Sequence, residues 1–109
     1  MVEILNEKSW ETLINDAQTS GKAVIAEFTA VWCPPCRMIA PVLEDFARKN
    51  PNIDFVKLDI DNKAVESVVV GHGVAAVPTF VGYRGGAKVG AFSGADRAAL
   101  AQMVERVGE

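Results

Sequence analysis

Two cysteines separated by two prolines, Cys33-Pro34-Pro35-Cys36, constrain this chain more than any other feature. They are its only cysteines. A disulfide across so small a ring stabilises a fold by about 2 kcal/mol before any strain is subtracted. A chain of 109 residues, half of them apolar, can build a core without that staple. The pair therefore reads as chemistry. Before it, Ala23-Val24-Ile25-Ala26-Glu27-Phe28 reads as an apolar strand interrupted by one acid. After it, Ile39, Val42, Leu43 and Phe46 keep the 3.6-residue period of a helix that contains Pro41 and should kink there. Cys33 then falls at the exposed N-terminal end of that helix, where unpaired N–H groups and the positive dipole end favour a thiolate. Prolines are tolerated at the first helical positions, which have no intrahelical acceptor to lose. Cys36 sits in the first turn, close enough to attack. Such a dithiol opens a partner's disulfide through Cys33 and frees itself through Cys36, by way of a mixed disulfide.

The remaining pattern predicts an α/β chain. Trp10, Leu13, Ile14 and Ala17 mark an amphipathic helix ending near Gly21. Residues 53–60 read as a strand, and 62–70 as a weaker helix closed by Gly71-His72-Gly73. Residues 77–83 and 88–92 read as a hairpin turned at Gly85-Gly86. Ser93-Gly94-Ala95-Asp96 carries an S-x-x-D capping pattern ahead of a last helix with Leu100, Met103, Val104 and Val107 on its apolar face. Strands alternating with helices imply a mixed sheet covered on both faces. No linker or repeat interrupts the chain, so residues 1–109 read as one domain.

Other chemistries fit less well. A zinc site needs about four ligands, and two cysteines with the lone His72 do not supply them, so no metal is expected. His72, between glycines, reads as a solvated loop or helix-end residue, and Asp59 with Asp61 as a solvated strand end. Trp32, beside the cysteines, is expected to stand partly exposed against a substrate chain. A net charge of −3 gives no basic footprint for nucleic acid. No run of apolar residues is long enough to cross a membrane, and the first residues lack the pattern of a signal peptide, which points to the cytoplasm. Glu27 lies in a strand that reads as buried on both faces. Burial should raise its pKa and make it a proton acceptor for Cys36.

The segment Trp32-Cys33-Pro34-Pro35-Cys36-Arg37-Met38-Ile39-Ala40-Pro41 resembles the active-site segment of the thioredoxin family. Val77-Pro78-Thr79-Phe80 resembles that family's cis-proline loop, and residues 86–94 its final hairpin strand. The resemblance runs from about residue 4 to 107. It implies a thioredoxin fold: a five-stranded mixed sheet in the order 1-3-2-4-5, its last two strands antiparallel to their neighbours, flanked by four helices. By the same likeness Cys33 is the attacking cysteine and Cys36 the buried resolving one, joined as a redox disulfide. Pro78 is cis, with Val77 offering backbone groups to an extended substrate. Trp32, Pro34, Pro35, Val77, Pro78, Gly90 and Ala91 make a flat apolar docking surface. Glu27 stands where the family has a buried acid, and Lys57 is its lysine neighbour on the next strand. A monomer without cofactor follows, reducing oxidised proteins such as a peroxiredoxin or ribonucleotide reductase and recharged by a thioredoxin reductase.

Three positions depart from the family pattern. Pro34-Pro35 replaces Gly-Pro, Glu27 replaces Asp, and Thr29 follows Phe28 where an aromatic residue is common. The double proline is similar to tryparedoxins, which draw electrons from trypanothione but carry insertions that this chain lacks. A binding module whose redox turnover is incidental is the reading from a different class. A disulfide-donating oxidant is a further one, set aside on the missing signal segment.

Overall fold

A computed structural model of the chain describes residues 1–108. The strands are β1 (Val2–Glu3), β2 (Ala23–Thr29), β3 (Ile53–Asp59), β4 (Thr79–Arg84) and β5 (Ala87–Ser93). The helices are α1 (Glu7–Ser20), α2 (Pro34–Lys49), α3 (Glu66–Gly71) and α4 (Arg97–Gly108), with a 3₁₀ turn at Lys63–Val65 leading into α3. The sheet order is β1-β3-β2-β4-β5. Strand β3 runs parallel to both β1 and β2, whereas β4 is antiparallel to β2 and to β5. This is the mixed sheet with four helices that the pattern implied. No helix among the described residues is long and apolar enough to cross a membrane.

Strand β2 lies at the centre, and Ala23 to Phe28 are all buried. Successive side chains of a strand point to opposite faces, so a strand covered on both sides reads as a continuous apolar run. Val24, Ala26 and Phe28 pack on one face with Ala17 of α1 and Val68 of α3. Ala23 and Ile25 pack on the other with Ile39 and Leu43 of α2 and Leu100, Met103, Val104 and Val107 of α4. Glu27 belongs to this second face by alternation. Helix α2 continues unbroken through Pro41.

The local signals explain most element ends. Asn6 caps α1 by accepting the Ser9 N–H at 2.8 Å, and Gly21, at φ 76°, closes it with a bond to the Ala17 carbonyl. Gly85 and Gly86 have φ of 58° and 81°, so the hairpin turns through two left-handed residues, which suits the twist of its strands. The start of α4 differs from the capping pattern in the sequence. Ser93 is the last residue of β5 and shares a hydrogen bond with the Thr79 hydroxyl. The cap is Asp96, whose Oδ1 accepts the Ala99 N–H at 3.0 Å. With Gly94 at φ 103° redirecting the chain, Ser93 is a turn too early to serve α4.

Helix α4 approaches β4 closely at Gly82. A Cβ there would lie 2.7 Å from Val107 Cγ1 and 3.2 Å from Met103 Cγ. Val107 is buried and β-branched, so it has few ways to yield. Gly82→Ala is expected to lower the unfolding free energy by about 1–3 kcal/mol, the usual cost of overpacking, as read by urea denaturation.

Candidate active site

Cys33 is the N-cap of α2, and Pro34 and Pro35 occupy the first helical positions. Neither proline has an N–H. The first amide able to serve the cap is that of Cys36, which donates to Cys33 Sγ at 3.2 Å. The cysteines form a disulfide with a Cα–Cα distance of 5.3 Å. Contrary to the expectation of an exposed attacking cysteine, Cys33 is only 3% exposed, scarcely different from Cys36 at 4%. The reason is a contact across the fold: Cys33 Sγ is tucked over the helix end and lies 3.7 Å from the Val77 carbonyl oxygen. What distinguishes the two is their surroundings. Cys33 borders the loop that carries Val77, while Cys36 faces a cavity behind the helix.

That cavity, of about 270 Å³, is lined by Cys36 and Ala40 of α2 and by Glu27, Thr29, Lys57 and Asp59 of the sheet, among others. Its volume has room for several waters. Glu27 is buried, and its Oε2 has no hydrogen-bond partner among the described residues. Lys57 is its register partner on β3, so the two side chains emerge on one face. Burial pushes the Glu27 carboxyl up to about 7, and the Lys57 charge opposes that rise. An acid of this strength near neutrality can take up a proton and return it.

On the other side of the dithiol, Trp32 is 59% exposed, and its indole N–H donates to Asp61 Oδ2 at 2.7 Å. The Asp61 backbone N–H donates in turn to Asp59 Oδ1 at 2.9 Å. The aspartates stand at the solvent-facing end of β3, as the strand-end reading has it, and they have a structural task there as well. One fixes the tryptophan, and the other faces the Glu27 cavity. Trp32, Ile60, Val69, Val74 and Val77 border an apolar groove of about 170 Å³. Pro34 and Pro35 stand exposed at the tip of α2.

The Val77–Pro78 bond is cis. The Pro78 ring is fully buried, so Val77 is the member of this pair that reaches the groove. The structure does not bring Gly90 and Ala91 to the dithiol. Thr79 pairs with Ser93, whereas Gly82 and Val81 pair with Gly90 and Ala91, placing Gly90 about 10 Å down the strand. There they border a separate hollow with Gln102 and Arg106 of α4. The residue beside the cis proline is Gly94, whose N–H donates to the Pro78 carbonyl at 2.8 Å. Counting outward from the Gly85-Gly86 turn finds this position, once the bulge at Gly82/Tyr83 is allowed for.

His72 is the C-cap of α3, as the helix-end reading has it, but it is half-buried rather than solvated. Its Nδ1 lies 2.7 Å from the Val68 carbonyl, Nε2 meets the Tyr83 hydroxyl, and the ring packs against Trp10 and Phe28. It plugs the face of the sheet opposite Glu27 and serves packing.

A central sheet with a two-cysteine redox disulfide at the start of a covering helix defines a protein for dithiol–disulfide exchange. A family model described as Thioredoxin matches residues 1–106. Thioredoxin H4 of Arabidopsis thaliana is 41% identical over 101 residues, covering 91% of this chain and 83% of that protein. The crystal structure of Fasciola hepatica thioredoxin superposes with a TM-score of 0.89 at 36% identity, covering 97% of this chain and 98% of that one. Thioredoxin NaTrxh of Nicotiana alata also gives a TM-score of 0.89, at 30% identity over 96% of this chain and 90% of its own. The chain belongs to the thioredoxin family. It is a reductase that works by dithiol–disulfide exchange through its cysteine pair.

The Glu27 carboxyl links this site to stability. Its folded pKa of about 7 exceeds the ordinary 4.5, so the unfolded chain releases this proton first as pH rises. Stability should fall between those two values and level off above the higher one. Glu27→Gln, which cannot ionise, should remove that fall and exceed the parent by about 3 kcal/mol at pH 8. Denaturant unfolding of the oxidised protein from pH 4 to 8.5 measures both.

Proposed function

We propose that this protein is an electron carrier for the reduction of protein disulfides. The observation that carries the mechanism is the placement of the two sulfurs, one as helix cap beside Val77 and the other on the Glu27 cavity. In the reduced form, the Cys33 thiolate is held by the Cys36 N–H and the positive end of α2. A target segment lies along the Trp32–Val77 groove, and Cys33 attacks its disulfide, displacing one target sulfur as thiolate. Cys36 then gives its proton to Glu27, directly or through water in the cavity. The Cys36 sulfur attacks Cys33, the second target sulfur leaves as thiolate, and the Cys33–Cys36 disulfide is restored. Lys57 keeps the ionised state of Glu27 accessible. Pro34 and Pro35 join Trp32 in the docking surface, and Pro78 shapes it from below.

The donor that recharges the disulfide is, in this reading, a thioredoxin reductase, and the targets are oxidised proteins of the peroxiredoxin or ribonucleotide reductase kind. Likeness to plant, fluke and other thioredoxins supports this reading over a tryparedoxin. A reducing dithiol belongs in a reducing compartment, so the protein is placed in the cytoplasm. It acts as a single domain over residues 1–109 and as a monomer, with Trp32 and the groove open to targets.

NADPH with a thioredoxin reductase should reduce the oxidised protein far faster than trypanothione does. The reverse order would make it a tryparedoxin-like carrier. A Cys33→Ser, Cys36→Ser double variant that keeps all partner function would make it a binding module. The assignment of roles has its own test: Cys36→Ser should accumulate stable mixed disulfides with targets, and Cys33→Ser almost none. Equal trapping by both variants would remove the distinction between the sulfurs.

A further inference from the structure

The turn that presents Cys33 is held at both corners by side chains. The Cys33 N–H donates to the Ala30 carbonyl at 3.3 Å, which makes Val31 and Trp32 the two central residues of a β-turn. The Trp32 corner is tied through its indole to Asp61. The Val31 corner is tied through its carbonyl, which accepts a bond from the Arg37 guanidinium at 2.9 Å. The Val31 side chain is 77% exposed, so packing does not hold this corner. Arg37 follows Cys36 on α2, and its backbone N–H donates to the Cys33 carbonyl at 3.3 Å. Among the described residues its side chain forms no ion pair. Ala30, Val31 and Arg37 all border the cavity shared by Cys36 and Glu27.

We propose that Arg37 is a positioning residue for the resolving step. By pinning the Val31 carbonyl, it holds the Ala30–Cys33 turn against α2, and with it one wall of the cavity through which Cys36 passes its proton. The inference rests on the reading of Glu27 as proton acceptor. Proton transfer requires donor and acceptor within hydrogen-bond reach, or one water apart. A wall free to swing by an ångström breaks such a relay while leaving the Cys33 cap, which α2 supplies itself, in place. A planar guanidinium that donates from a fixed fork suits this role.

Arg37→Met keeps the stem and loses the donor, whereas Arg37→Lys keeps a donor and the charge. For each, amide hydrogen exchange at Cys33 reads the turn. Mixed-disulfide formation by the Cys36→Ser form reads attack, and release from a preformed mixed disulfide between pH 6 and 8 reads resolution. Arg37→Met should speed exchange at Cys33 and slow release about fivefold, the effect of one lost hydrogen bond. Attack should change by less than about twofold, Arg37→Lys should recover most of the release rate, and added salt should leave the ratio unchanged. Unchanged exchange at Cys33 in Arg37→Met would overturn the proposal. So would attack and release slowing together with the defect erased by salt, which is the behaviour of a charge rather than a latch. Glu27→Gln separates the two claims. If release is insensitive to Glu27→Gln, the proton-acceptor reading fails and takes this proposal with it. If release responds to Glu27→Gln but not to Arg37→Met, only the role of Arg37 fails.

Discussion

Burial of β2 on both faces is the constraint from which the rest of the molecule follows. A strand hydrogen-bonded on both edges and covered by α1 and α3 on one side and by α2 and α4 on the other is fixed in all directions. Its C-terminal end carries the Ala30–Cys33 turn directly, so the dithiol inherits that rigidity. The same burial makes Glu27 an acid near neutrality rather than an ordinary surface carboxylate. Packing and the acidity of Glu27 are thus coupled through one strand. The desolvation that opposes folding at this position is what brings the carboxyl toward neutrality.

The double proline shows a related economy at the helix end. A side-chain cap ordinarily has amides at the second or third helical position to choose from. Pro35 removes the first of these, leaving the Cys36 amide as the donor to Cys33 Sγ. Glu27 lies on the far side of Cys36, across the cavity they share, so the two sulfurs face different parts of the protein. One sulfur takes its contacts from the end of α2, and the other looks onto the sheet beneath it.

Much of this arrangement was legible in the chain. An unbroken apolar run marks a doubly covered strand, a CxxC pair after it marks a reactive helix end, and Gly85-Gly86 marks a tight hairpin. The misreadings share a cause: they concern what a residue meets across the fold. Ser93 matches a capping pattern, but Gly94 turns the chain so that Asp96 performs that task. The family resemblance puts Gly90 in the docking surface, yet strand register and a bulge set Gly94 beside Pro78. His72 between two glycines looks solvated, and only the packing of α3 against the sheet brings Tyr83 and Val68 to its ring. Asp61 looks like a loop charge until Trp32 reaches it across 29 residues. The burial of Cys33 is of the same kind, since the loop that carries Val77 lies far away in sequence.

The two borders of the sheet bear on the company this protein keeps. Strand β1 has only two residues, and β5 carries Lys88 exposed and is itself bulged at Val89 where it pairs with β4. A short border and a charged, irregular one are poor templates for an added strand. A reductase of disulfides meets oxidised proteins. Its own fold offers them a reactive dithiol at one end of the sheet and little edge along which another chain could extend it.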